Sequence, residues 1–175
     1  DGDVGDPHIR LDGELARLLT AAGYDVVAID PGASTDNVVP IGLVELEEPD
    51  GSFDAAVAVV SLHHVDPLDD SCNRLADVLR PGATLLVDEF DVERFDERAA
   101  EWWLEQRRAR GAVEEHSAQE QIAELRAAIH PLSLIQATLE AHFDVGPPLR
   151  GSYLYRWDLD ETLRPKEDEL IVEGV

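Results

Sequence analysis

Residues 53–90 constrain the fold more than any other part of this sequence, because they contain two apolar runs separated by an amphipathic segment. The first run, Ala55 to Val60, consists of small and β-branched residues and is typical of a central strand that helices cover on both faces. The segment after it predicts a helix with one buried face, because four apolar residues recur at helical spacing: Cys72, Leu75, Val78 and Leu79.

The boundaries of this segment complete a strand, helix and strand pattern. We expect Asp69 or Asp70 to cap the helix, and Pro81-Gly82 to end it before a second strand that begins over Ala83–Val87. The two strands would then be parallel neighbours. Ser61-Leu62-His63-His64-Val65, called the crest below, would lie at the carboxyl end of the first strand, where open α/β sheets bind ligands.

The same pattern occurs upstream. Glu14 to Ala22 predicts an amphipathic helix that ends at Gly23, and Asp25–Ile29 predicts a strand that ends at Asp30-Pro31. A carboxylate would therefore lie at the same end of the sheet as the crest.

The rest of the chain predicts mainly helices. Helices are expected over residues 91–111, 118–129, 131–141 and 162–173, and the alternation in Ser152–Trp157 predicts a strand. Two adjacent tryptophans, Trp102 and Trp103, cannot point the same way, so one is a candidate for a lid over the crest and the other for the core.

The charge of the chain limits its partners. It has 38 acidic and 14 basic residues, a formal net charge of −24, which repels nucleic-acid phosphates and anionic lipid. We therefore expect no nucleic-acid partner and no membrane association, and the absence of a signal peptide or long apolar run predicts a cytoplasmic protein. The single cysteine, Cys72, is expected to be buried on its helix. The acidity fits either a high-salt cytoplasm or a low-lysine, high-GC genome.

The helix 14–22, the strand that ends at Asp30, the segment FDAAVAVVSLHHV (53–65) and the segment LRPGATLLVDEF (79–90) together resemble the class I S-adenosylmethionine-dependent methyltransferases of the small-molecule type. The resemblance implies an α/β fold with a doubly wound, mostly parallel Rossmann-like sheet and a helical insertion. It also implies one domain over 1–175: a cofactor-binding half at 1–90, a helical substrate-side insertion at 91–142, and a C-terminal strand and helix at 143–175.

The resemblance further implies the site. Asp30 would bind the ribose of S-adenosylmethionine, Pro31 would fix the exit of the chain, and Ser61 and Leu62 would flank the cofactor. S-adenosylhomocysteine would be the product and a small molecule the methyl acceptor. Either His63 or His64 is a candidate base, although many relatives need none.

The glycine-rich first motif of this family is degenerate in the chain. Gly5 and Gly13 are the candidate cofactor-binding glycines, but the segment Asp6–Asp12 between them is longer and bulkier than the usual loop. The third strand offers only Glu45 as an acidic counterpart, and the final strand of the family is missing. A truncated or degenerate form would explain these losses together, and the open sheet edge would invite a homodimer.

Three alternatives differ in class. A methyltransferase-like scaffold that has lost its cofactor loop would serve as an interaction domain without catalysis. A nicotinamide-dependent oxidoreductase shares the fold, but the chain has no G-x-G-x-x-G motif and Lys166 is its only lysine. A metal site is suggested by the ligand types near the crest, yet adjacent histidines diverge and the aspartates suit a helix cap, so no metal is expected. The residues that suggest a metal site are His63, His64, Asp66, Asp69 and Asp70.

Overall fold

The computed structural model describes residues 13–113, 115–157 and 159–172. These residues form two compact units. The first, called the sheet unit, contains residues 13–89 and 135–145; the second, called the helical unit, contains residues 90–134 and 146–172, apart from residues 114 and 158. The predicted division of 1–175 at residues 90 and 142 stays a prediction.

The sheet unit is built on the expected parallel strand, helix and strand arrangement. Strand β1 is Phe53–Val59, helix α2 is Leu68–Val78 and strand β2 is Leu79–Asp88. The two strands pair in parallel, from Phe53 opposite Leu79 to Val59 opposite Asp88. The α/β fold class is therefore confirmed, with a sheet that is small: two strands among the described residues.

The ends of α2 differ from the prediction. Pro67 precedes the helix, and its first turn contains Asp69 and Asp70, so neither aspartate is the cap. Proline suits this place because it has no backbone N–H to leave unsatisfied, and carboxylates in a first turn interact favourably with the helix dipole. The predicted cap was wrong, but both carboxylates still stabilise the same end of the helix.

The Pro-Gly pair lies inside β2 rather than before it. Phe53 pairs with Leu79 and Ala55 with Thr84, so one residue between the paired positions in β1 lies opposite four in β2. The extra residues form an irregularity that contains Pro81 and Gly82, whose φ of 81° is a conformation that glycine adopts easily. The predicted turn thus became a bulge after the first residues of the strand.

Among the described residues one face of the β1–β2 pair is open, whereas the sequence predicted a strand covered on both faces. Val57 pairs with Leu86, and these side chains are 45% and 61% exposed. The opposite face carries Ala56, Ala58 and Leu85, which pack on two clusters of buried apolar residues from α2 and its neighbours. The run of apolar residues in β1 therefore reflects one buried face and one exposed apolar face.

The upstream helix is confirmed and the strand after it is not. Helix α1 is Glu14–Ala21. Within the part of the chain that the structure describes, the predicted strand Asp25–Ile29 pairs only at Ile29, through a single parallel bridge to Val39. The preceding side chains Tyr24 and Val27 are largely exposed, so this segment has little apolar burial to hold it in a wider sheet.

The four helices predicted after β2 are present. Three start later than predicted, and the one predicted over 118–129 starts at the predicted residue. Helix α3 is Glu97–Ala109, capped by Asp96, and α4 is Ala118–Ala128, capped by Ser117. Helix α5, Leu132–Glu140, includes the boundary between the two units, and α6 is Arg164–Val172. No helix among the described residues is both long enough and apolar enough to cross a bilayer.

An aromatic core organises the helical unit. Trp103 stacks on Trp157 with ring centroids 4.3 Å apart, and its indole N–H donates to the Trp157 carbonyl at 2.9 Å. Trp103 is thus the core member of the tryptophan pair, and Trp102 packs partly buried against the same cluster. The lid assigned to one of them stays a prediction for Trp102.

The predicted strand Ser152–Trp157 is instead a 3₁₀ turn over Leu154–Arg156. The N–H groups of Arg156 and Trp157 donate to carbonyls within the turn, and the three before them are bound by a side chain. The buried Glu167 of α6 accepts hydrogen bonds from the N–H groups of Tyr153, Leu154 and Tyr155 at 2.5, 2.6 and 2.7 Å. Once these donors are satisfied locally, the segment needs no strand partner.

Candidate functional site

The crest forms a tight turn at the carboxyl end of β1. Residues Leu62–His64 make one 3₁₀ turn, in which the N–H of His64 donates to the Ser61 carbonyl at 3.1 Å. Leu62 is buried in a cluster with Leu68 and Cys72 of α2. Burial of Leu62 therefore anchors the turn to the unit, while Ser61 remains exposed at its start.

A carboxylate from the next strand holds this turn. Glu89, the residue after β2, accepts from the N–H groups of Ser61 and Leu62 with Oε1 at 2.9 and 2.6 Å. Its Oε2 lies 2.5 Å from Nδ1 of His63, and both side chains are only 1% exposed. The buried carboxylate thus accepts from two backbone N–H groups and lies within hydrogen-bond distance of the His63 ring, and such partners are what a buried carboxylate requires.

The two candidate histidines are in different environments. His63 is buried against Glu89, whereas His64 is exposed, and their rings are tilted with centroids 4.2 Å apart. An acceptor molecule arriving from solvent can reach His64 directly, while His63 is held inside the turn. The two histidines, which were equal candidates for the base in the sequence, thus differ in exposure in the structure.

Asp30 lies on an exposed turn after the bridge residue Ile29. Its Oδ1 accepts from the N–H of Gly32 at 2.7 Å, and its own N–H donates to the Val39 carbonyl at 3.1 Å. These two bonds fix the backbone and the carboxylate together. Pro31, which is also exposed, forms the bend between Asp30 and Gly32.

A family comparison decides the class of the protein. A family model described as a methyltransferase domain matches residues 12–130, which is 119 of the 175 residues. The chain belongs to this methyltransferase domain family. The match includes Asp30, the crest and Glu89. A comparison with curated proteins found no relative that matches the chain.

Gly13 is the residue that precedes helix α1 of the methyltransferase domain and occupies its N-cap position. This glycine has a φ of 72°, and its carbonyl accepts from the side-chain amide of Asn37 at 2.8 Å. A Cβ at Gly13 would collide with the Asn37 side chain, so glycine is needed here for the approach of Asn37. This contact links α1 to the loop that follows Asp30. Gly5, the other predicted glycine, lies outside the described residues.

Cys72 of the methyltransferase domain is a core residue. Its side chain is fully buried in the cluster below the crest. Burial raises the pKa of the thiol, and the Asp69 carboxylate raises it further. The thiol is therefore protonated at neutral pH, and the predicted burial of Cys72 is confirmed. Within the described residues, no group of three or more His, Cys, Asp or Glu side chains is arranged to hold a metal ion.

Sequence reasoning missed Glu89. The pattern showed an acidic pair, Asp88-Glu89, at the end of a strand, but a terminal acidic residue is common and by itself does not name a partner. The register of the two strands supplies the missing information, because Val59 pairs with Asp88 and so brings Glu89 beside the start of the crest. The sequence did contain one signal for this contact: the neighbouring parallel strand ends in a carboxylate residue.

Proposed function

We propose that this methyltransferase domain transfers a methyl group from S-adenosylmethionine to a small-molecule acceptor and releases S-adenosylhomocysteine. The observation that carries the proposal is the family match over residues 12–130. It includes the turn at Asp30 and the crest, the two places where the sequence resemblance puts the cofactor.

The residues of the Asp30 turn suit a nucleoside. An ionised carboxylate accepts hydrogen bonds, and a ribose offers two hydroxyl donors. The bond from Gly32 orients the Asp30 carboxylate on an exposed turn, so its acceptors are presented and not buried. By this chemistry the turn fits the sugar of the cofactor, and Pro31 restricts the backbone that presents it.

The crest residues take the other roles. Ser61 and Leu62 would flank the cofactor, and His64 would take the proton that an acceptor hydroxyl or amine loses. When bound, S-adenosylmethionine supplies a methyl group already activated on its sulfonium. The main task of the protein is then to hold the acceptor in line with that group.

The proposal is tested by isothermal titration calorimetry of the folded protein with S-adenosylmethionine and with S-adenosylhomocysteine. We expect both to bind. A folded sample that binds neither would favour the alternative of a methyltransferase-like scaffold without catalysis.

The ribose role of Asp30 is tested by Asp30→Ala, with Asp36→Ala as the matched control. Both remove one exposed carboxylate from the same loop and change the net charge equally. Loss of hydrogen bonds to a charged group costs about 1.5–3 kcal/mol, so the Asp30 variant should bind S-adenosylhomocysteine at least about ten-fold more weakly. The Asp36 variant should bind as the wild type does; equal affinities of all three proteins would contradict the ribose role.

A further inference from the structure

Glu89 bridges the ends of two adjacent parallel strands. It follows β2 directly, and the residues it binds follow β1. The strand pairing continues to this point, because the N–H of Val60 donates to the Asp88 carbonyl at 2.7 Å. The Glu89 carboxylate therefore holds the crest from the end of the neighbouring strand β2.

The backbone at the start of the crest is strained. Val60 has a φ of 50°, a left-handed conformation that is rare for β-branched residues. Such conformations persist only where the surroundings enforce them, and they concentrate at functional sites. The hydrogen bond to Asp88 on one side of Val60 and the bonds to Glu89 on the other enforce this one.

The two oxygens of Glu89 have separate tasks. Oε1 receives the backbone N–H groups of Ser61 and Leu62, and Oε2 faces Nδ1 of His63. An ionised carboxylate only accepts hydrogen bonds, so this contact favours the form of His63 that carries a proton on Nδ1. Glu89 thus fixes both the course of the backbone and the position of a proton.

We propose that Glu89 is a positioning residue of the methyltransferase site, which holds the crest in the conformation that the cofactor meets and keeps a proton on Nδ1 of His63. This inference rests on the proposed function, since the crest is the expected cofactor contact. Glu89 itself is buried and acts through Ser61, Leu62 and His63.

A second buried glutamate provides a matched control. Glu167 accepts three backbone N–H groups at another 3₁₀ turn, in the helical unit. Truncation of either glutamate leaves buried donors without an acceptor and should lower the midpoint of thermal unfolding. If Glu89 contributed only to stability, its variant would bind S-adenosylhomocysteine as well as the Glu167 variant does.

The first experiment compares the affinity of Glu89→Ala, Glu167→Ala and the wild type for S-adenosylhomocysteine by calorimetry, at a temperature where all three are folded. We expect the Glu89 variant to bind at least ten-fold more weakly and the Glu167 variant to bind as the wild type does. Unchanged affinity in the Glu89 variant, or equal losses in both variants, would overturn the inference.

The second experiment uses Glu89→Gln, which preserves the shape of the side chain should Glu89→Ala not fold. The amide oxygen can still accept from Ser61 and Leu62, but the amide nitrogen, in the place of Oε2, donates to Nδ1. The ring proton of His63 should then move to Nε2. Nitrogen-15 NMR of histidine-labelled protein reads this directly, with the His63 signal assigned from its loss in His63→Gln.

The NMR result decides the proton-positioning part without a cofactor. In the wild type we expect Nδ1 of His63 to be protonated, and in Glu89→Gln we expect Nδ1 to carry no proton. An unprotonated Nδ1 in the wild type would overturn this part.

If the wild type binds no S-adenosylhomocysteine, the proposed function fails and the cofactor role of Glu89 fails with it. If the wild type binds and Glu89→Ala binds equally well, only the inference fails.

Discussion

Two buried glutamates, Glu89 and Glu167, hold the backbone at separate turns in this protein. Each places its carboxylate at the start of a 3₁₀ turn and accepts consecutive backbone N–H groups. Such bonds are stronger than those between neutral groups and satisfy donors that no strand or helix partner would take. In a chain with a large excess of acidic residues, a few carboxylates therefore serve as internal acceptors instead of surface charges.

Burial beneath the crest gives the first stability prediction. Ile135 of α5 is completely buried beside Leu62, Cys72 and Leu139, whereas its neighbour Leu134 is 45% exposed. Ile135→Ala should lower the free energy of unfolding by about 2–5 kcal/mol, because it removes buried methyl groups and leaves a cavity. Urea denaturation measures this loss.

The control for Ile135 is Leu134→Ala, one position earlier on the same helix. Substitutions at exposed positions usually change the unfolding free energy by less than about 0.5 kcal/mol. Similar losses in the two variants would mean that the cluster below the crest is not packed as described.

Single-residue roles were the least predictable from the sequence. The partners of Glu89 lie 26–28 positions away in the chain, and no local pattern links them. Likewise, the distinction between a buried His63 and an exposed His64 depends on how the crest turns after Val60, and a positive φ at a valine is not readable from the sequence. Cys72 was predictable, because helical spacing alone placed it on the buried face.

At the scale of elements, local periodicity predicted helices well and short strands poorly. The arrangement of β1, α2 and β2 followed from apolar runs and helical spacing, both of which are local signals. The segment Ser152–Trp157 alternates like a strand, yet it turns because Glu167, from a later helix, takes its backbone donors. Alternation describes which residues face inward and does not tell which partner satisfies the backbone.

The start of α4 gives a prediction about pH. Ser117 and Glu120 form a capping box, in which the Ser117 N–H and hydroxyl both donate to Oε2 of Glu120 at 2.8 Å. These bonds lower the pKa of Glu120. A lowered pKa in the folded state stabilises the protein at neutral pH, and this contribution is lost as the pH falls through that pKa.

Ser117→Ala should raise the pKa of Glu120 toward its ordinary value, because one of its two donors is removed. It should also destabilise α4, since the serine hydroxyl accepts from the Glu120 N–H. Carbon-13 NMR titration of the Glu120 carboxyl group measures the pKa. Ser117→Thr keeps the hydroxyl and should titrate as the wild type does; a Glu120 pKa unmoved by alanine would contradict the capping box.

On the scale of the whole molecule, the sheet unit has an apolar face that its described residues leave open. Val57 and Leu86 pair on this face of β1 and β2. The sequence predicted the α/β class correctly because both strands are apolar. An apolar run does not distinguish a strand that is covered on both faces from a strand that is covered on one. The extent of the sheet therefore depended on upstream segments, of which only Ile29 and Val39 pair among the described residues.

The net charge of −24 predicts how the whole protein responds to salt. Like charges on one compact molecule repel each other, and unfolding relieves the repulsion by moving them apart. The screening length falls from about 10 Å at 0.1 M salt to about 3 Å at 1 M, so added salt should stabilise the folded state. We expect the unfolding midpoint to rise between 0.05 and 1 M KCl, by about 2–4 °C for each kcal/mol of stability gained.

Thermal unfolding followed by circular dichroism across a KCl series measures this gain. Screening has its largest effect at low concentration, so most of the rise should occur below about 0.5 M KCl. A stabilising co-solute without charge, such as sucrose, strengthens burial instead, and its effect should grow without this early saturation. A midpoint that does not change with KCl would mean that buried carboxylates held by backbone donors, such as Glu89 and Glu167, and local ion pairs already offset the repulsion.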